Sequence, residues 1–123
     1  MSLIELHNRL GDTAMLYTVI MTAWGLWRFF RRQGLDSSYW GALVIAEVLN
    51  VGQAILGAAV ILGQGINPAN PFMHILYGVV SVLAIPAVFL FTRGDDKRRS
   101  ILIYSLAFLF MVGILLRSRA TGL

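Results

Sequence analysis

The sequence predicts an all-α protein, an integral membrane four-helix bundle. Three observations carry that prediction. Hydrophobic residues make up 58% of the 123-residue chain and charged residues only 13%, with a mean hydropathy of +0.74. Four apolar segments stand out, each close to the roughly 17–25 residues that a spanning helix needs. The connections between them, "RRQGLDSS", "QGINPANP" and "RGDDKRR", are short and rich in turn formers or charge, as antiparallel neighbours require. A water-soluble domain of this size needs a far more polar surface.

The helices are expected at about 3–32, 39–63, 71–92 and 99–117, within a single transmembrane domain. "SLIE", Ser2 to Glu5, has the S-x-x-E form of a capping box, so the first helix should start near Leu3, ahead of its apolar part. The second segment is an unbroken apolar run apart from Glu47, Asn50 and Gln53. In the third, Asn70 suits an N-cap and Pro71 the first helical position, and Pro86 should bend the helix. The fourth, "SILIYSLAFLFMVGILL", follows a charged turn.

Orientation follows from lysine and arginine. Arg28, Arg31, Arg32, Arg93, Lys97, Arg98 and Arg99 flank the first and third connections, against Arg9, Arg117 and Arg119 on the other side. Seven against three places residues 31–38 and 93–99 in the cytoplasm and both termini outside, as in a multi-pass protein of a prokaryotic plasma membrane. Trp24, Trp27 and Trp40 then fall near the inner interface, where aromatic residues are common. No basic stretch precedes the first apolar run, so no cleavable signal is expected. The net charge of +4 is a topology signal rather than a mark of nucleic-acid binding, and the absence of cysteine excludes disulfides and thiolate metal sites.

The chain has two histidines, and the helix starts set them at one depth. His7 is the fifth residue of its helix and His74 the fourth, and both helices run inward from the outer side. At about 1.5 Å per residue both rings sit roughly 6–8 Å below the helix starts. Each histidine is followed by glycine at i+4 and a small residue at i+7: Gly11 and Ala14 after His7, Gly78 and Ser81 after His74. These positions share a helix face, so each histidine heads a strip with little bulk, as a planar ligand between helices requires. Such strips also serve plain helix packing in lipid. Imidazole is a usual axial ligand of haem, whereas zinc or copper would want more donors than two. A b-type haem held by His7 and His74 is therefore the expected cofactor, with Arg9 as a partner for its propionates. Glu47 and Asn50 share a broad face of the second helix with Gln53 and form a second candidate polar or proton site.

"ELHNRLG" at 5–11 resembles the Glu–His–Arg segment that opens a four-helix half of haem A synthase. "GQAILGAAVILGQGINPANPFMHILYG" at 52–78 resembles that family's second helix, outer loop and third helix. The resemblance implies that His7 and His74 are axial ligands of one haem in a bundle open to the outer leaflet. The family's glutamate lies three residues before the histidine, where this chain has Ile4; Glu5 is two before. Asn8 replaces the usual arginine after the histidine, and the cysteine pair of many members is absent. These departures weigh against haem A synthesis and leave haem binding. The chain resembles, more loosely, small four-helix membrane proteins of the cytochrome-b type.

The expected function is thus membrane haem binding, in electron transfer or haem handling beside a respiratory complex, as a homo-oligomer or a subunit of a larger membrane redox assembly. Two alternatives stand. One is a cofactor-free structural or assembly subunit that uses Gly52, Ala54, Gly57, Ala58 and Ala59 for packing against a partner. The other is a small transporter that uses Glu47 and Asn50.

Overall fold

The computed structural model describes residues 2–65 and 67–122, the side chains of 64, 121 and 122 excepted. Ile66 of the expected outer loop and the terminal residues 1 and 123 lie outside them. Four helices follow one another: α1 (Leu3–Phe30), α2 (Ser37–Gln64), α3 (Pro71–Thr92) and α4 (Arg98–Gly122). No strand is present among the described residues.

The helix starts follow cap chemistry. Ser2 accepts the backbone N–H of Glu5 at 3.2 Å, Asp36 that of Tyr39 at 2.8 Å, and Asn70 that of Met73 at 3.4 Å, with Pro71 in the first turn. Each side chain satisfies one of the four N–H groups that a helix start leaves unpaired. α2 starts at Ser37 rather than at residue 39, with Asp36 as its N-cap. α3 continues through Pro86 without interruption. α2, α3 and α4 are long and apolar enough to cross a membrane. α1 matches them in length, but Glu5, His7, Asn8, Arg9, Asp12 and Thr13 crowd its first half.

Neighbouring helices pack in a closed ring, α1–α2–α3–α4 and back to α1, so α1 and α3 face each other across the diagonal. The bundle has two unlike ends. We call the end with residues 31–36 and 93–97 the basic end and the other the histidine end. The large fully buried side chains Met21, Tyr39, Ile101, Tyr104, Phe108 and Met111 form a core with Leu43, Ala46 and Ile85 in the basic half. Trp24 stacks on Tyr39 at 4.9 Å, and Trp40 lies edge-on to both Phe89 and Tyr104 at 6.0 Å. Of the three tryptophans only Trp27 is exposed; Trp24 and Trp40 pack against the core.

Buried hydroxyls in this half turn back on their own helices. Thr22 donates to the Thr18 carbonyl at 2.9 Å and Ser105 to that of Ile101 at 2.7 Å. Such i−4 bonds hide a polar group from an apolar surrounding without a second helix. Large apolar side chains such as Leu16, Leu62, Phe72 and Leu90 point outward on all four helices' outer faces or ends, a surface suited to hydrocarbon and not to water.

Candidate functional site

Across the diagonal of the histidine end, the rings of His7 and His74 meet with centroids 6.3 Å apart and planes at 69°. The backbones of α1 and α3 do not approach each other, so the imidazoles alone bridge the bundle's axis. Two metal–nitrogen bonds of about 2 Å each, plus the two half-rings, fill nearly this separation.

His74 is oriented by α4. Its Nδ1 lies 2.8 Å from the carbonyl oxygen of Ser118. A carbonyl only accepts, so Nδ1 carries the proton and Nε2 the lone pair. Ligating histidines are commonly held in this way, the far nitrogen donating to a backbone carbonyl. Ser118 lies one turn before the end of α4.

His7 is oriented by α2. A Cβ on Gly57 would stand 3.1 Å from His7 Cε1 and 3.7 Å from each ring nitrogen. Glycine at 57 therefore admits the ring against the α2 backbone. His7 Nδ1 is buried and has no hydrogen-bond partner, and the same holds for Gln53 Oε1 and Glu47 Oε1. A buried polar atom without a partner is costly and marks a place where something further is bound or moved.

The two small-residue strips differ. Below His74, a Cβ on Gly78 would meet nothing within 4 Å, so that strip is open. Below His7, the strip is covered: a Cβ on Gly11 would stand 3.0 Å from Gln53 Nε2. Ser81 is buried; its hydroxyl donates to the Gly78 carbonyl at 2.8 Å, and its carbonyl accepts from Asn50 Nδ2 at 3.3 Å. The polar face of α2 is thus split. Asn50 turns to α3, Gln53 to α1, and Glu47 is half-buried between exposed Val44 and Val51. Gly52 receives Leu10 of α1 at 3.7 Å, so two of the small residues of α2, Gly52 and Gly57, are used within the chain.

Arg9 is exposed on α1, two residues beyond His7. Arg119 pairs with Asp12, tying α4 to α1 on the rim of the site. Both side chains are more than half exposed, so Arg119→Ala is expected to change stability by only about 0–1 kcal/mol. Thermal unfolding in detergent checks this.

Met111 marks the middle of the bundle, and beyond it toward the histidine end none of the large fully buried side chains lies among the described residues. The other buried residues from the middle of the bundle to that end are small or polar: Ala14, Thr18, Asn50, Val60 and Ser81. Among the described residues no three His, Cys, Asp or Glu side chains converge as a metal-ion cage. Of the site residues that sequence reasoning overlooked, Ser118 and Gly57 matter most. A histidine at a helix start gives no sign of which carbonyl or glycine it will meet two helices away.

No protein-family model, characterised protein or solved structure matches this chain.

Proposed function

We propose that the chain spans a membrane four times and binds one b-type haem through His7 and His74. The observation that carries this reading is the histidine pair itself: two rings from diagonal helices, 6.3 Å apart, at the end of the bundle beyond the large buried core residues. Apolar side chains fill the other half. The residues present fit the group. His74 has its tautomer set by Ser118, His7 has an orphaned ring nitrogen, and Gly78 leaves an open strip on α3. Gln53 covers the corresponding strip on α1, so of the two strips only that of α3 would have room for a ligand.

His7 and His74 would hold the iron, and Arg9 would meet the propionates from the rim. When bound, haem supplies one-electron chemistry, its potential tuned by two neutral imidazoles and by burial. The protein's own part is to fix both rings, to exclude water and to donate from His74 Nδ1. On this reading α1 is the fourth span. The basic end faces the cytoplasm, and both termini and the 64–70 connection face outward, following the seven-to-three division of positive charge. The role is electron transfer or haem handling beside a respiratory complex in a prokaryotic plasma membrane, as a homo-oligomer or a subunit.

The test is an absorption spectrum. Protein purified from haem-replete cells is expected to show a six-coordinate low-spin haem, lost in His7→Ala and in His74→Ala. Folded, haem-free protein from the same cells would overturn the proposal.

A further inference from the structure

The basic end carries a feature that haem binding does not use. Two connections, far apart in sequence, are built into one platform. Leu35 N–H donates to the Asp96 carbonyl at 2.8 Å, and Arg98 Nε donates to the Phe29 carbonyl at 2.8 Å while its guanidinium lies 4.0 Å over the Phe29 ring. Gly34 lies so close to the Asp96 carbonyl that any Cβ there would overlap it. Turn 31–36 and turn 93–97 therefore move as one surface.

The charges on this surface are unbalanced. Arg31, Arg32, Arg93, Lys97, Arg98 and Arg99 are exposed. The acids facing them are largely engaged. Asp36 pairs with Arg28 at 3.3 Å and caps α2, and Asp95 accepts from the Ser100 hydroxyl at 2.8 Å and from Lys97 N–H at 3.4 Å. Asp96 is left exposed beside the six cations. Two of these arginines also occupy left-handed backbone at helix ends, Arg32 at φ 59° and Arg93 at φ 54°. Glycine or asparagine is the usual residue in that conformation, so arginine is kept there against local preference.

Immediately beside the cations stands a belt of exposed apolar side chains: Trp27 and Phe30 on α1, Leu90 and Phe91 on α3. Arg31 lies 5.3 Å over the Trp27 ring, its stem along the belt. A partner that meets this surface must present anionic groups directly above hydrocarbon. Phospholipid headgroups do so, whereas nucleic acids and acidic peptides offer charge without the apolar layer.

We propose that the fused 31–36 and 93–97 platform binds the headgroups of acidic phospholipids. The inference rests on the membrane reading and is independent of haem. The experiment is thermal unfolding in neutral detergent with phosphatidylglycerol or phosphatidylcholine added at equal mole ratio. Phosphatidylglycerol is expected to raise Tm by about 5 °C more than phosphatidylcholine, and 1 M NaCl should remove the difference. Arg31→Gln/Arg32→Gln/Lys97→Gln/Arg99→Gln should lose it; Arg117→Gln, at the other end, should keep it. Equal effects of the two lipids, a difference that survives salt, or equal loss in both variants would overturn the proposal. So would the same shift from inorganic phosphate. If the fourfold variant does not fold, the lipid and salt comparison on the unaltered chain decides.

Discussion

Gly25→Val is expected to lower stability by about 2–3 kcal/mol. Gly25 is buried on α1 where α2 and α4 converge. A Cβ there would overlap Ser105 Oγ, lie 2.7 Å from Tyr39 Oη and 3.2 Å from Ser105 Cβ. Neither neighbour can yield freely. Ser105 Oγ is tied to the Ile101 carbonyl at 2.7 Å, and Tyr39 is fully buried under Trp24. The strain therefore passes into the α1–α4 contact. Thermal unfolding followed by circular dichroism reads the loss. Gly25→Ala should show part of this loss, and adding Ser105→Gly should relieve the nearer of its two overlaps, leaving that with Tyr39 Oη. Gly113→Ala, where an added Cβ meets nothing within 4 Å, is the control and should leave stability unchanged or slightly raised. Equal losses at 25 and 113 would refute the packing argument.

If His7 and His74 hold a haem as proposed, Gly57→Leu is expected to remove His7 as a ligand while leaving it in the chain. The 3.1 Å separation between a Cβ at 57 and His7 Cε1 is already tight for alanine, and leucine must displace the ring. Supporting residues around a metal typically alter its affinity by about 10–100-fold. The spectrum should pass from six-coordinate low-spin to five-coordinate, with haem content falling within that range. Gly78→Leu separates ligand from fold. The free bundle has open space there, so its unfolding temperature should hardly change, but a porphyrin against α3 would be displaced. Full haem occupancy in Gly78→Leu would mean that the plane lies elsewhere.

Much of the helical layout is legible because caps are local chemistry. Ser2, Asn70 and Pro71 announce α1 and α3 from the residues beside them, and the caps in the structure are those side chains. The ring order of the helices is less legible. In a chain meant for lipid, outward faces are as apolar as inward ones, so polarity does not say which face of α2 meets which neighbour. That is why Gly11 reads as part of an open strip although Gln53 covers it, and why Glu47, Asn50 and Gln53 read as one polar face although they part company. The meeting of His7 and His74 is more legible than either, because matched depth on parallel helices leaves only the lateral distance open. The proton on His74 Nδ1 depends on α4 and had no signal in the sequence around His74.

The closed ring of helices has a consequence for biosynthesis. α1 and α4 are neighbours, yet Asp12 and Arg119 that join them are 107 residues apart, and the carbonyl that orients His74 comes 44 residues after it. Contacts of such separation form late, because the intervening chain must first be placed. When α1 to α3 have entered the membrane, both histidines exist but the tautomer of one is not yet set and the wall that α4 supplies is missing. The histidine pair is therefore expected to take its final arrangement only after α4 has docked, so that the proposed haem would enter a finished bundle rather than a growing chain.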